Sequence, residues 1–339
     1  MKTTTDILKE KSITFLIQKI VIFITLFSLL LPLFVSESCA QDYPKQTIKL
    51  VVGFPAGGPA DIAARIISRG LQDTLKQPVI VENKTGASGD VATKYVATSA
   101  PDGYTILIAT ASFTLNPLIS NTAGYDCIKD FTTVSMLANQ ANALAVSNNL
   151  NVNSLAELKA LVGKKKLSVA TSGIGTSSHI TATHLFNFLW NGDFAMVPYR
   201  GAGPAGLAVA SGEAEVGFMT VTGLLPLQQQ GKLKILGIIA PNRLPLLPNV
   251  PTLSELNYKQ YAPSWTAMFI PSATPSVIAQ KLFDTNKALL QKPEIQQQFA
   301  TQTMTVADNV SLQFLHDYIA EEIVQWKQIV ATVEPKKEK

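Results

Sequence analysis

Hydrophobic runs of strand length alternate along this chain with amphipathic segments of helix length. The nearly continuous apolar run Ile48 to Val52 predicts a buried strand. After Gly57-Gly58, Pro59 opens a predicted helix, whose apolar residues recur at three- and four-residue spacings (Ile62, Ile66, Ile67, Leu71 and Leu75). Two further strands, at 78–82 and 104–109, flank a helix at 91–99. This β-α-β-α-β order predicts a parallel sheet with helices on both faces.

A second series of strands and helices begins near residue 150. Ser154 is predicted to cap a short helix, and the loop 171–178 leads from a strand into a helix that ends near Trp190. Later strands are predicted at 195–197, 216–219, 235–239 and 266–270, with a helix at 205–210 and two more helices after residue 270. The chain ends in a long helix with an apolar stripe of Leu312, Leu315, Ile319, Ile323, Trp326 and Val330.

The two series predict two α/β lobes rather than one. The final helices need a sheet to pack on, and we expect them to return to the first lobe, so that the chain crosses between lobes twice. The crossings are predicted near 138–146 and 262–266. Lobe 1 would then comprise residues 41–142 and 264–339, and lobe 2 residues 143–263. Two crossings form a hinge, and ligands tend to bind in the cleft between such lobes.

The first 40 residues have the pattern of a secretory signal peptide. Four lysines precede an apolar run at 20–34, and Ser38-Cys39-Ala40 places small residues at the exit before Gln41. A run of about 15 residues is short for a bilayer span, which needs about 20. An uncleaved anchor and lipid attachment at Cys39 are the alternatives. We expect cleavage before Gln41 and a periplasmic mature protein.

Composition and charge narrow the function classes. The chain has 339 residues, 47% of them apolar and 15% charged, enough for two domains with well-formed cores. The net charge is +4, and removing four Lys and three acids with residues 1–40 leaves +3. Lys164-Lys165-Lys166 has no interleaved aromatic residues and predicts a solvated turn, so no nucleic-acid partner is expected. Cleavage leaves Cys127 without a disulfide partner, and we interpret it as a packed residue.

The loop after the first strand carries the first candidate binding residues. Phe54, Gly57, Gly58 and Asp61 lie between the strand and the helix, where glycines expose backbone N–H groups beside the positive helix end. Asp61 falls in the first helical turn and can accept from a free N–H there. A tight structural turn is the competing interpretation.

Three further loops fall at equivalent positions. Gly86, Ala87 and Ser88 follow the second strand, and Ser112 lies in the loop Ala111–Thr114 after the third, so the first three loops share one sheet edge. Open parallel sheets bind ligands at that edge. In the second lobe, the loop from Thr171 to Ser178 offers hydroxyls and amides. It lacks the third glycine of a dinucleotide loop and the Gly-Lys-Ser/Thr of a P-loop.

The sequence gives little support for metal binding or for catalysis. His179 and His184 are five residues apart and cannot form an i, i+4 metal pair, and no further ligand cluster accompanies them. No Gly-x-Ser-x-Gly elbow is present. We expect no metal, no cofactor and no enzyme activity. An α/β enzyme with a cleft site is the competing hypothesis.

Several ordered motifs resemble the Bug family of periplasmic binding proteins. They include Val51–Asp61, Val81–Asp90, Pro101–Thr105, Val197–Gly201 and Pro248–Thr252, and the likeness extends over about residues 43–330. Proteins of this family are the extracytoplasmic components of tripartite tricarboxylate transporters. The sequence departs from the usual family pattern at Asp90, His184, Arg200 and the segment 220–223.

The resemblance implies a two-lobe type II periplasmic-binding fold whose cleft loops hold organic acids largely through backbone amides, hydroxyls and water. Carried over to this chain, it implies ligand contacts at Phe54, Gly57, Gly58, Asp61, Gly86, Ala87, Ser88, Ser112, Thr171, Ser178 and Arg200. We therefore expect a monomeric solute-binding protein that captures a small organic ligand, a carboxylate by hypothesis, by lobe closure. Its membrane partner would be the permease of a tripartite transporter or a sensor.

Overall fold

The computed structural model describes residue 19 and residues 43–120, 123–240, 242–257 and 264–333, without the side chains of 188 and 189. It divides into a unit of residues 1–45 and a unit of residues 46–339, and the description below concerns the second. The predicted signal peptide, its cleavage point before Gln41 and the alternative at Cys39 lie outside the described residues. Within the described ranges, no helix is long and apolar enough to cross a membrane.

One sheet of six strands organises the first lobe. Its order is β11-β4-β10-β3-β1-β2, where β1 is Ile48–Val52, β2 Val79–Asn83, β3 Thr105–Thr110, β4 Phe131–Gln140, β10 Ser264–Pro271 and β11 Met304–Val306. Strand β1 pairs in parallel with both β2 and β3, which confirms the parallel β-α-β-α-β prediction. The sheet as a whole is mixed, because β10 runs antiparallel between β3 and β4.

A second sheet of five strands organises the second lobe. Its order is β7-β6-β8-β5-β9, where β5 is Asn142–Ser147, β6 Leu167–Thr171, β7 Phe194–Pro198, β8 Val216–Thr220 and β9 Leu233–Ile239. Strand β6 pairs in parallel with β7 and β8, and β5 runs antiparallel between β8 and β9. The two-lobe α/β prediction is confirmed by these two sheets.

Helices cover both sheets. They are α1 Pro59–Leu75, α2 Asp90–Ala97, α3 Ser112–Ile119, α4 Leu155–Val162, α5 Ser177–Thr183, α6 Ala202–Ser211, α7 Val221–Gln229, α8 Ser276–Leu290, α9 Pro293–Thr301 and α10 Leu312–Val333. A π-helical turn, His184–Leu189, continues α5. Ser154 caps α4 by accepting from the backbone N–H of Glu157, as predicted. The last three helices return to the first lobe, where α8 and α10 pack against β4.

The chain passes between the sheets at two neighbouring places. A single residue, Ala141, separates the end of β4 from the start of β5, and the return lies between β9 and β10. Ser264 pairs with Gln140 across the sheet, and the Gln140 amide donates to the Thr266 hydroxyl at 2.7 Å. The two strands that carry the chain between sheets are therefore bonded side by side.

Two sequence interpretations change. The segment Ala111–Thr114 was expected to be a loop, but Ser112 begins α3, because the apolar residues Phe113 and Leu115 bury against the sheet in helical geometry. Strands β4 and β5 and helix α7 were not predicted.

Cys127 is confirmed as a packed residue. It is buried, and its thiol donates to the carbonyl of Phe113 at 3.1 Å.

Candidate functional site

A cleft between the lobes contains two compartments that share lining residues. We call the wider one, with a volume of about 450 Å³, the outer compartment and the narrower one, of about 50 Å³, the inner compartment. Phe54 of the first lobe and Ser172 and Gly201 of the second line both compartments. Each compartment therefore draws its wall from both lobes, and separating the lobes would open both.

The outer compartment is built from loops at the ends of strands. Its lining residues are Gly53, Phe54, Pro55, Thr85, Gly86, Ala87, Ser88, Ser172, Gly173, Ile174, Pro198, Tyr199, Arg200 and Gly201. Among these, Arg200 carries the one charged side chain, and it is exposed. The rest of the lining consists of glycines, Ala, Ser, Thr and Pro residues, together with Phe54, Ile174 and Tyr199.

Most of the described residues that line the inner compartment have uncharged polar side chains, and none of them is charged. The compartment is formed by Phe54, Pro59, Ala60, Thr110, Ser112, Gln140, Asn142, Ser172, Thr176, Ser177, Ser178, Gly201, Ala202, Thr220 and Ser264. Three of its residues, Gln140, Asn142 and Ser264, come from the strands beside the two crossings, and Thr110 ends the neighbouring strand β3. The hinge strands thus form part of the cavity wall, so lobe movement would change the shape of the cavity.

Several helices begin at this compartment. Helix α1 starts at Pro59, α6 at Ala202 and α7 directly after Thr220, and residues of each first turn or cap line the wall. The N-terminus of a helix carries free N–H groups and partial positive charge. Helix starts from both lobes therefore favour a negatively charged group in a chamber without cationic side chains.

Buried hydroxyls in the same wall point to a ligand. The Thr220 side chain is 9% exposed, and its Oγ1 has no hydrogen-bond partner among the described residues. The Oγ of Ser172 is likewise buried without a hydrogen-bond partner among the described residues. Buried polar atoms are nearly always hydrogen-bonded, so two such hydroxyls on one chamber wall suit a polar ligand that occupies it.

Asp61 supports the loop that contains Phe54. Its Oδ2 accepts from the Gly57 N–H at 2.9 Å and from Arg65 Nε at 2.8 Å, while Oδ1 accepts from Asn83 Nδ2 at 2.9 Å. Burial alone would raise the pKa of Asp61, but hydrogen bonds from Arg65, Gly57 and Asn83 outweigh it and lower the pKa. Asn83 also donates to the Phe54 carbonyl at 3.0 Å. The carboxylate is thus engaged within the lobe and does not line the cavity.

Asp90 holds the loop that follows β2. Its Oδ1 accepts from the Asn116 amide at 2.6 Å and from the Tyr125 hydroxyl at 3.1 Å. Burial and the neighbouring Asp90 charge raise the pKa of Tyr125, so its hydroxyl stays a donor. The departure from the family pattern at Asp90 therefore lies in the support of the loop and not in the cavity wall.

The corresponding loop of the second lobe is held by its own hydroxyls. Thr176 caps α5 by accepting from the N–H of His179, and its Oγ1 lies 2.9 Å from Ser178 Oγ. Thr171 Oγ1 lies 2.9 Å from His179 Nδ1. Burial lowers the pKa of His179, which favours a neutral ring beside the helix start.

The structure separates the predicted site residues into two sets. The cavity wall brings together Phe54, Gly86, Ala87, Ser88, Ser112, Ser178 and Arg200. Gly57, Gly58, Asp61 and Thr171 do not line either compartment. Gly57 and Asp61 brace the turn, Gly58 caps α1, and Thr171 is fully buried at the end of β6.

Sequence reasoning missed the inner wall contributed by the hinge strands and by Thr220. The segment 220–223 was noted as a departure from the family, and that was the available signal for Thr220. Gln140 and Asn142 carry no local motif. Among the described residues, no group of three His, Cys, Asp or Glu side chains could hold a metal ion.

Comparison with known proteins matches this architecture. Residues 63–334 match the TctC family, described as "Tripartite tricarboxylate transporter family receptor". Protein BugT of Bordetella pertussis is 32% identical over 302 residues, covering 86% of this chain and 90% of the relative.

Two solved structures carry ligands in their descriptions. Rpa4515 of R. palustris, described with adipate, is 29% identical to this chain with a TM-score of 0.81. The match covers 86% of this chain and 98% of the Rpa4515 chain. MatC (Rpa3494) of Rhodopseudomonas palustris, described with bound malate, is 29% identical with a TM-score of 0.78. The match covers 86% of this chain and 100% of the MatC chain. The fold of this chain is thus similar to that of periplasmic binding proteins along nearly the whole described part.

Proposed function

The chain belongs to the tripartite tricarboxylate transporter receptor family, and from that membership we propose that its cleft captures a small carboxylate and delivers it to a membrane permease. It is a solute-binding receptor of a periplasmic transport family. Members of this family are binding proteins and not enzymes. The ligand and the permease are the parts we propose.

The inner compartment is the observation that carries the carboxylate assignment. Helix starts from both lobes face a chamber whose described lining contains no charged side chain, and an unpartnered hydroxyl of Thr220 faces it. Backbone N–H groups and hydroxyls satisfy an anion without a buried cation. Adipate and malate, the molecules described with two relatives, are both carboxylates and support this assignment.

We assign the lobe boundaries to the two crossings. We propose that lobe 1 is residues 41–142 and 264–339 and lobe 2 residues 143–263, with the hinge at Ala141 and at the start of β10, so that Asn142, the first residue of β5, lies at the boundary. Hinge motions concentrate in a few residues at element ends. The neighbouring strands at the two crossings provide such a pair of points.

We further propose export to the periplasm through the signal peptide at residues 1–40, with the mature protein beginning at Gln41. N-terminal sequencing of protein recovered from the periplasmic fraction tests this. A start at Met1 or at a lipid-modified Cys39 would contradict it.

The proposed ligand class is tested by direct identification and by closure. Mass spectrometry of small molecules released by denaturing the purified protein should find an unchanged carboxylate, which is then titrated back by calorimetry. If nothing is retained, adipate and malate serve as the first probes. Small-angle scattering should show a smaller radius of gyration at saturation. Recovery of a chemically altered product after incubation would instead favour an enzyme.

A further inference from the structure

A buried carboxyl group lies where the last helix meets both lobes. Glu322 on α10 is 1% exposed, and its two oxygens accept from two indole groups. Trp265 Nε1 donates to Oε2 at 2.7 Å, and Trp326 Nε1 donates to Oε1 at 2.8 Å. Both tryptophans are fully buried, so the three side chains form a closed cluster, which we call the Glu322 cluster.

The two indoles belong to different parts of the hinge region. Trp265 is the second residue of β10, next to the returning crossing, and it pairs with Asn139 near the end of β4. Trp326 packs with Leu115 of the first lobe and with Ile180 of α5 in the second. Glu322 therefore connects the hinge strand to the side chain that touches the second lobe.

Helix α10 itself bridges the lobes. Leu315 and Ile319, in its first half, pack in the core of the first lobe with Trp265. Trp326 and Val330, in its second half, pack with Ile180, and the helix also contacts the π-helical turn of the second lobe. Any separation of the lobes at this contact would uncover Trp326 and admit water towards Glu322.

Among the described residues, no Lys or Arg side chain forms an ion pair with Glu322. Of the elements packed on α10, neither α3, β4 nor β10 carries a titratable residue, while α5 carries His179 and the π-helical turn carries His184. Burial lowers the pKa of both histidines. The other titratable neighbours are Tyr318 and Cys127, whose pKa values the Glu322 charge raises further.

We propose that Glu322 is a positioning residue for lobe closure: in its neutral form it joins the hinge strand to the second-lobe contact, and loss of its proton loosens that joint. Burial raises the pKa of Glu322 to about 8, although the two indole hydrogen bonds act in the opposite direction. The neutral carboxyl keeps the indole bonds through its carbonyl oxygen and, more weakly, its hydroxyl oxygen, without the cost of burying a charge. Loss of the proton strengthens both bonds, but the cost of burying an unpaired carboxylate is larger, so the charged form favours hydration and opening of the contact. Closure at this contact therefore takes up a proton, and it weakens as the pH rises through about 8.

The test is ligand-free and compares three forms of the mature protein at pH 7 and pH 9. Glu322→Gln fixes the group in a neutral state of similar shape, and Glu321→Gln makes the same chemical change at an exposed position on the same helix. Hydrogen exchange of α5, corrected for the intrinsic pH effect, should rise in the wild type and in Glu321→Gln but not in Glu322→Gln. With a pKa of about 8 in the closed form and an ordinary value in the open form, the rise from pH 7 to pH 9 should be about tenfold. An equal rise in all three forms would overturn the proposal.

Tryptophan fluorescence gives a second readout at the two indoles. The wild type and Glu321→Gln should show a titration step near pH 8 that Glu322→Gln lacks, and absence of the step in the wild type would overturn the proposal. If Glu322→Gln fails to fold, Trp326→Phe replaces it. That change removes one hydrogen bond to the charged form, so the step should move to higher pH, and an unmoved midpoint would count against the cluster.

Discussion

The hydroxyl of Ser88 donates a 2.6 Å hydrogen bond to the carbonyl oxygen of Ile174, and this bond joins the two lobes at the mouth of the cleft. Ser88 lies in the turn after β2, with a left-handed backbone at φ 52°. Ile174 lies in the loop before α5 and is largely exposed. Both residues line the outer compartment, so the bond also closes one side of its wall.

Ser88→Ala should weaken ligand binding by favouring the open form. A single neutral hydrogen bond contributes about 0.5–1.5 kcal/mol net, so the affinity should fall roughly 2- to 12-fold, mainly through faster release. Stopped-flow and calorimetric titrations with the retained ligand measure both quantities.

Ser99→Ala provides the matched control. The Ser99 hydroxyl also donates to a backbone carbonyl, that of Tyr95 at 2.8 Å, but within one helix end. It should leave the affinity unchanged. Equal affinities for Ser88→Ala and Ser99→Ala would show that the bond between Ser88 and Ile174 contributes nothing to closure.

Gly201→Ala should impair binding more than Arg200→Gln. Gly201 has φ 112°, which alanine adopts only with strain of about 1–3 kcal/mol, and it caps α6 on the wall of both compartments. An added Cβ would lie at an ordinary contact distance of 3.6 Å from Pro55 of the first lobe, so backbone strain and not a clash carries the effect. Arg200 is exposed, so its loss should cost no more than about 1.5 kcal/mol, or about tenfold.

Calorimetry on the two neighbouring variants separates a backbone grip from an ion pair. Thermal unfolding without ligand shows whether Gly201→Ala remains folded. If Arg200→Gln eliminates binding while Gly201→Ala binds normally, a side-chain ion pair holds the ligand and the backbone-based proposal is wrong.

The strand–loop–helix units could be predicted from sequence because their signals are local. The apolar run of β1, the glycines after it and Pro59 mark one strand end and one helix start within a dozen residues. The same holds for Ser154 at the start of α4. Parallel pairing then follows from the alternation of strands and helices.

The hinge strands could not be predicted in the same way. Strand β4 mixes Thr, Ser and Asn with apolar residues and is nevertheless largely buried, because helices α8 and α10 pack on it and strands flank it on both sides. Only one residue separates it from β5, so no turn signal marks the passage to the second sheet. Gln140 and Asn142 reach the inner compartment through that topology, which no local pattern encodes.

The hydrogen-bond partners of Asp61 could be predicted only in part from the sequence. Its place in the first turn of α1 was predicted, and so was a backbone N–H as its partner. Sequence could not show that Arg65 and Asn83 would occupy the remaining acceptor positions. Glu322 was overlooked for a related reason: it lies beside the apolar stripe of α10, and its partners come from distant Trp265 as well as from Trp326.

Thr220→Val should separate ligand binding from stability. The substitution replaces the unpartnered hydroxyl with a methyl group of similar size. The ligand-free protein should be as stable or more stable, since a buried unsatisfied polar atom is removed. If the ligand bonds to Thr220, its affinity should fall by about 1–3 kcal/mol.

Thr181→Val is the control for this change. Thr181 Oγ1 is also buried without a partner among the described residues, but Thr181 does not line either compartment. Thermal unfolding and ligand titration of both variants should therefore show a loss of affinity in Thr220→Val alone. Unchanged affinity in Thr220→Val would remove this residue from the binding surface.

Asp61→Asn should destabilise the protein in a pH-dependent manner. The change weakens the charge-assisted bonds to Arg65 and to the Gly57 N–H, a loss of about 1.5–3 kcal/mol in the free energy of unfolding at pH 7. Since hydrogen bonds hold the folded-state pKa of Asp61 below its ordinary value of 3.8, the unfolded chain takes up a proton first as the pH falls. The stabilisation is therefore fully present above the pKa of the unfolded state and is lost as the pH falls through the pKa of the folded state.

Urea unfolding of the wild type and of Asp61→Asn should give a constant difference in the free energy of unfolding from pH 7 to pH 5, and this difference should shrink below pH 4. Asp73→Asn, at an exposed position on the same helix, should show neither the deficit nor its pH dependence. A deficit in Asp61→Asn that stays constant down to pH 3 would mean that the shape of the side chain, and not its charge, holds the turn beside the cleft.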